Sequence, residues 1–315
     1  MILQTGMRTD IPAFYAQWFL NRLRAGFVDV RNPYNPHAVT RYRITPDVVD
    51  LIGFCTKNPA PMLPHLNALS RFGQYWFITI TPYGRDIEPN VPPAARVIED
   101  FRRLSDVVGP DSMGWRYDPI LIDSSYTAER HIDAFDRMAK ALSGATHTAV
   151  ISFIDLYSKV RRNFPEAQEV SAELRLKLGG AMAEIAKANG MTLRPCGEGS
   201  ELAAFGADCS GCMTAGVFER ALGRRLNVPA QARRGARKEC ACLLSADIGA
   251  YNSCPHLCRY CYANADAARV RANFRMHDPE SSMLIGRLTD QDTVHMADQR
   301  SWLDDRVALD LSAAP

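Results

Sequence analysis

No stretch of the 315 residues approaches the ~18 unbroken apolar residues that a membrane-spanning helix needs. An excess of one charge is also absent. Lys and Arg number 37 against 35 Asp and Glu, for a formal net charge of +2. That balance demands neither nucleic acid nor a membrane as partner. The N-terminal stretch, Met1 to Gly26, carries Arg8, Asp10, Arg22 and Arg24 and lacks a continuous apolar core. It is therefore not read as a secretory signal, and a cytoplasmic protein is expected. Apolar residues at 47% and charged residues at 23% exclude disorder as the dominant state, and collagen-like or mucin-like chains with it. Against these ordinary features the nine cysteines stand out. A reducing compartment disfavours a disulfide framework, and an odd count fits one poorly, so metal or cluster binding leads.

Short apolar runs alternate with helical stretches. Strands are predicted at Phe27 to Val30, Val48 to Phe54, Tyr75 to Ile80, Trp115 to Ile122, Ala149 to Ile154 and Met191 to Arg194. Helices are predicted around Phe14, Trp18 and Leu23, at Pro92 to Val108, at Thr127 to Leu142 and at Glu166 to Asn189. Gly109, Gly144 and Gly190 are their stops. This alternation predicts an α/β fold with a parallel sheet and helices outside it. With Ile2-Leu3 and the Ile248 region included, about eight units fit a (β/α) barrel or partial barrel better than a doubly wound sheet.

One barrel-like domain is read over 1–274, with a cysteine-rich insertion at 196–247 and a cluster-binding loop and helix at 248–274. A polar C-terminal tail at 275–315 is expected to lie on the surface, ordered in part by Met283-Leu284-Ile285. The basic run Arg233-Arg234-Gly235-Ala236-Arg237-Lys238 is read as a solvated loop.

The informative motif is Cys254-Pro255-His256-Leu257-Cys258-Arg259-Tyr260-Cys261. Given nine cysteines in 315 residues, one cysteine has partners at both offsets by chance about once in 1,200 cases, so the spacing carries information. Thiolates crowded on a short loop select zinc or an iron–sulfur centre. Three of them leave one iron of a 4Fe–4S cubane open to a substrate or cofactor, as catalytic zinc sites keep a free position. His256 is read as a loop histidine facing solvent, and Cys55, in the apolar run Ile52-Gly53-Phe54-Cys55, as a plain core thiol. Cys196, Cys209, Cys212, Cys240 and Cys242 suffice for a second site, an auxiliary cluster or a structural zinc. Alternatively, Cys240 or Cys242 supplies a fourth ligand that closes the main cluster.

The spacing, with an aromatic before the last cysteine, resembles the motif of the radical S-adenosylmethionine superfamily. Members of that superfamily bind the amine and carboxylate of S-adenosylmethionine at the open iron. They cleave the sulfonium reductively and use the resulting 5′-deoxyadenosyl radical to abstract hydrogen. The motif usually follows the first barrel strand, near the N-terminus, so its place here implies a circularly permuted barrel. A closed ring of βα units has no privileged first strand. The chain as a whole resembles the domain of unknown function 1848 family. The resemblance rests on Arg8-Thr9-Asp10-Ile11-Pro12, Arg31-Asn32-Pro33, Thr56-Lys57-Asn58-Pro59, Trp115-Arg116-Tyr117-Asp118-Pro119, Lys238-Glu239-Cys240-Ala241-Cys242 and Asp247-Ile248-Gly249-Ala250-Tyr251-Asn252.

Most of these segments sit just past a predicted strand, on the face where βα barrels build their active sites. Asp10, Arg31, Lys57 and Arg116 are therefore candidates to hold a charged substrate or the cofactor carboxylate, for which the arginine fork is suited. Asp118 and Asp155 are candidates for ribose hydroxyls or for neutralising those bases. Structural ion pairs are the competing account of all six. Tyr260, Asn252 and Glu198 are placed beside the cofactor, Tyr260 packing by the cluster and Asn252 capping the loop. The resemblance implies an enzyme with a 4Fe–4S cluster, S-adenosylmethionine and an electron donor such as flavodoxin or ferredoxin, acting on a substrate the residues do not name. The other reading is a non-catalytic iron–sulfur or zinc protein with a closed four-ligand centre. Some radical lyases act on nucleic acid, but the near-neutral charge disfavours that substrate.

Overall fold

The computed structural model describes residues 1–233, 241–243 and 246–304. Its largest element is a sheet of six parallel strands. In spatial order they are β1 (Ile2–Gln4), β4 (Leu51–Thr56), β5 (Gly73–Thr79), β6 (Met113–Ile120), β7 (Thr148–Phe153) and β8 (Thr192–Pro195). Spatial order follows chain order with no reversal, so the sheet is not doubly wound. No ladder joins β8 back to β1 among the described residues.

Two predicted strands have other roles. Phe27–Asn32 is a strand, β2, but it pairs antiparallel with β3 (Asn35–Arg43), and β9 (Thr293–Met296) adds to β3 in a separate three-stranded sheet. The reason is local. Asn32 Oδ1 accepts the Tyr34 N–H at 2.9 Å, and Asn35 Oδ1 accepts the His37 N–H at 3.2 Å. The chain therefore reverses in a tight turn instead of crossing over a helix. The Ile248 region makes one parallel bridge, Asp247 to Gln4 on β1, held by Gln4 N–H to Ala246 O at 2.8 Å and Ile248 N–H to Gln4 O at 3.0 Å. Irregular segments step across the remaining gap. Asp208 N–H donates to Leu193 O on β8 at 2.9 Å, and Leu243 N–H donates to Met213 O at 2.9 Å.

The helices follow their sequence signals. In α3 (Ala94–Val108), Val97, Phe101 and Leu104 recur at helical spacing and are buried, and the helix stops at Gly109 with φ +83°. In α4 (Ala128–Leu142), Thr127 Oγ1 accepts the Arg130 N–H at 3.3 Å, and Phe135 stacks on Trp115 of β6. The helix predicted from Glu166 is shorter. Helix α6 spans Ala172–Ala188 because Ser171 caps it through the Leu174 N–H at 3.3 Å. No helix among the described residues is long and apolar enough to cross a membrane.

Register divides the sheet into two chemically distinct faces. Phe54 and Trp76 stack at 3.9 Å, and Phe19 of α2 (Ala16–Ala25) meets Phe54 edge-on, which makes this the helix-covered face. The opposite face carries Gln4 beside Gly53, then Cys55 beside Phe77 and Gly114, then Thr79 beside Arg116, Val150 and Arg194. A Cβ on Gly53 would meet Gln4 Oε1 at 2.3 Å, and one on Gly114 would meet the Tyr75 hydroxyl at 2.5 Å. Glycine there lets long side chains lie across the inner face.

Residues 276–304 also build structure. Met283, Leu284 and Trp302 are buried, and Trp302 O accepts the Asn227 N–H at 2.6 Å. Residues 234–240, which hold most of the basic run and Cys240, lie outside the described residues, as do 305–315.

Candidate functional site

A cavity opens at the C-terminal ends of the parallel strands. Cys254, Cys258 and Cys261 line it together with Asp10, Lys57, Arg116, Asp118, Asp155 and Tyr260. The fold thus brings the three motif cysteines to the same place as most of the strand-end residues singled out above. Cys55 lies on its wall as well, on the inner face of β4. Expected as a plain core thiol, it packs against the core half-buried and also faces the cavity, because alternation turns it away from the aromatic layer that buries Phe54. Burial still pushes its thiol up to about 12.

The cysteine loop is held in one shape by its own backbone. Asn252 and Leu257 both have φ +57°, the only positive-φ non-glycine residues among the described residues. Such a conformation costs roughly 1–3 kcal/mol per residue and persists where surroundings over-determine it. Here they do. Asn252 Oδ1 accepts the Ala265 N–H at 2.5 Å, Asn264 Nδ2 donates to Cys254 O at 2.9 Å, and Tyr15 donates its hydroxyl to Ser253 O at 2.5 Å. Asn252 therefore caps the loop, at its base.

Asp10 is the hub beneath that loop. It is 5% exposed. Oδ1 accepts from the Thr56 hydroxyl at 2.7 Å and the Ala13 N–H at 3.0 Å. Oδ2 accepts from the Lys57 N–H at 2.8 Å and from His256 Nε2 at 2.9 Å. His256 is 2% exposed, its Nδ1 lies 3.2 Å from Asn90 O, and its ring meets Phe14 edge-on at 4.6 Å. The expectation of a solvent-facing histidine is corrected. Its ring is the strut between the cysteine loop and the strand ends.

A second buried carboxylate, Glu88, escaped sequence reasoning. Its Oε1 accepts from Lys57 Nζ at 2.8 Å, from the Thr81 hydroxyl at 2.7 Å, and from the Tyr260 hydroxyl. Lys57 lies 5.6 Å over the Tyr260 ring. Burial opposes the ammonium, but Glu88 and Cys258 outweigh it and raise the Lys57 pKa. Glu88 sits in the irregular stretch after β5, where no periodicity flags it.

The other predicted residues divide by position. Arg116 and Asp118 pair with each other on the cavity wall, and Arg116 Nε is buried without a hydrogen-bond partner among the described residues. Asp155 is exposed at the rim and accepts the Tyr157 hydroxyl at 3.0 Å. Arg31 does not reach the cavity. It lies on β2, lines an adjoining groove and pairs with Asp292 through Nη2 at 2.8 Å. Glu198 is committed to the backbone of β7, accepting the Phe153 N–H at 2.8 Å, and to Arg175 at 3.0 Å. Burial raises the pKa of its carboxyl.

The remaining described cysteines form a separate group. Cys196, Cys209, Cys212 and Cys242 line a second cavity beside β8. Cys242 is absent from the wall of the first cavity, whereas Cys196 lines both. Hydrogen bonding to Cys212, helped by Arg116, holds the Cys196 thiol below its ordinary value despite burial. No disulfide joins the described cysteines. Among the described residues no group of three or more His, Cys, Asp or Glu side chains is arranged to hold a metal ion as it stands.

Asp247, 6% exposed, lies just before the cysteine loop. Burial pushes its carboxyl up to about 6, against the pull of Arg8 Nε at 3.3 Å. A carboxyl raised on folding stabilises most as the neutral acid. Its contribution is full below about pH 4 and lost as pH rises through about 6. Asp247→Asn should match the wild type near pH 4 and exceed its stability by up to about 3 kcal/mol at pH 7. Urea denaturation of both proteins at the two pH values checks this, and a difference that does not grow with pH would refute it.

Fold and site together define an α/β protein with a cysteine-lined pocket at the C-terminal edge of a singly wound parallel sheet. A family model described as Domain of unknown function (DUF1848) matches residues 2–263, and the chain belongs to that family. No curated protein and no solved structure matches the chain.

Proposed function

We infer that the chain is a 4Fe–4S enzyme of the radical S-adenosylmethionine type. The observation that carries this reading is the convergence of Cys254, Cys258 and Cys261 on one cavity at the strand ends. The donor set fits the group: three soft thiols on one loop suit an iron–sulfur centre and leave one iron without a ligand from that loop. When bound, the cluster would supply the electron for reductive cleavage of S-adenosylmethionine, drawn from a donor of the flavodoxin or ferredoxin class.

The chain's own residues have separable tasks. Arg116, with its Nε unpartnered among the described residues, offers a fork for a carboxylate on the cavity wall. Lys57 is held by Glu88, so its charge faces the pocket from a fixed position. Asp118 neutralises Arg116, and Asp155 reaches ribose-type hydroxyls from the rim. Tyr260 packs beside the cysteines and covers Lys57. A permuted partial barrel is the matching reading of the sheet. The segment that feeds the cysteine loop lies beyond β1, at the end of the strand order, where a first strand would lie.

The second reading is a closed four-ligand centre with an electron-transfer or structural role. Cys55 favours it, as a further thiol on the same cavity wall. Electron paramagnetic resonance of the anaerobically reconstituted, dithionite-reduced protein separates the two. A cubane signal that shifts when S-adenosylmethionine is added is expected. An indifferent cubane signal favours the closed centre, and bound zinc with no cubane signal sinks both iron readings.

A further inference from the structure

The second cysteine group is not used by that chemistry. Cys212 Sγ lies 3.5 Å from Cys196 Sγ and 3.4 Å from Cys242 Sγ. We propose that Cys196, Cys212 and Cys242 hold a single zinc ion, with Cys209 completing the set, at a site separate from the motif cysteines.

The sulfur separations choose the metal. Two thiolates bound at ≈ 2.3 Å to one tetrahedral ion lie about 3.8 Å apart. Thiolates on different irons of a cubane stand much farther from each other. Two of the three separations within the trio, 3.5 and 3.4 Å, already lie near the single-ion value. The surroundings agree. The Met213 N–H donates to Cys242 Sγ at 3.2 Å, the kind of outer contact that fixes a metal-bound thiolate. Cys209-Ser210-Gly211-Cys212 has the two-residue spacing of structural zinc sites, and Gly211 at φ +114° takes a turn that side chains resist. Cys209 lines the same cavity, its thiol 3.9 Å from Ala207 O.

The position gives the ion a task. Cys196 directly follows β8, at one edge of the open sheet. Cys242 precedes Leu243, whose carbonyl accepts Gln4 Nε2 of β1 at 2.9 Å, at the other edge. One ion would therefore tie together two edges that no ladder joins among the described residues. It would stabilise the wall that the two cavities share through Cys196 without entering the chemistry at Cys254, Cys258 and Cys261.

The test uses the full chain with all three motif cysteines changed to alanine, so that no cluster signal interferes. After chelation and refilling with zinc alone, one zinc per chain is expected. Cobalt in its place should give the intense visible bands of a tetrahedral thiolate site. Adding Cys212→Ser should abolish both. Zinc retained at full stoichiometry after Cys212→Ser, or no zinc in the triple variant, would overturn the proposal. Should Cys212→Ser not fold, zinc-edge X-ray absorption of the variant lacking the three motif cysteines decides instead. Three or four sulfurs at about 2.3 Å support the site, and two or fewer refute it. Neither result depends on whether the motif cysteines carry a cluster.

Discussion

Changing any one of Cys254, Cys258 or Cys261 to alanine should abolish the reduced-cluster resonance and take bound iron from about four per chain to near zero. The effect is large because the loop offers no spare sulfur. Each thiol sits on the same cavity wall, and Cys242 lies in the other cavity, beside Cys212. The backbone that shapes the loop does not depend on the thiols. Asn252, Asn264 and Tyr15 hold it through amide and hydroxyl groups, so the variants should stay folded by circular dichroism. Full iron and an unchanged spectrum in Cys258→Ala would contradict the ligand assignment. Cys55→Ala reports on something else. With an open iron it should leave the iron content unchanged, whereas a centre closed by Cys55 would lose iron or change its spectrum.

The second large effect belongs to Asp10→Ala. The substitution removes the acceptor for the Thr56 hydroxyl, the Ala13 and Lys57 amides and His256 Nε2. A buried donor left unsatisfied costs about 1–3 kcal/mol, and the four share one neighbourhood, so they will not add. A total loss of about 3–5 kcal/mol is expected. Asp10→Asn keeps the shape and one acceptor oxygen and should lose less. The distinguishing readout is local. Amide exchange should accelerate between 253 and 261 more than in α4, because His256 loses its anchor there. A denaturation midpoint within about 0.5 kcal/mol of wild type would show that Asp10 is not the hub.

Much of this site was legible because its signals are local. Cysteine spacing is a property of eight consecutive residues. The strand ends that carry Lys57, Arg116 and Asp155 follow from apolar runs and the turns after them. What was not legible depends on distant partners. His256 reads as a polar loop residue until Asp10, 246 positions away, is brought beneath it. Glu88 is an acid in an irregular stretch until Lys57 and Tyr260 converge on it. Phe27 to Val30 has the composition of any strand, and only its tight turn into β3 decides that it leaves the parallel sheet. Arg31 was misplaced with it, since its candidacy came from sitting past a strand that belongs elsewhere.

The dependence of the cysteine loop on distant residues limits its portability. Asn90 Nδ2 donates to Pro255 O at 2.8 Å, Asp10 holds His256, and Glu88 accepts from Tyr260. Two separate stretches of chain, one around Asp10 and one spanning Glu88 and Asn90, thus grip one short motif from beneath. A peptide copied from 252–265, or the same loop grafted onto a foreign scaffold, would keep the thiol spacing and lose the mould that makes Leu257 adopt its left-handed turn. The motif is best regarded as the visible third of a composite part, whose other pieces lie more than 160 residues away along the chain.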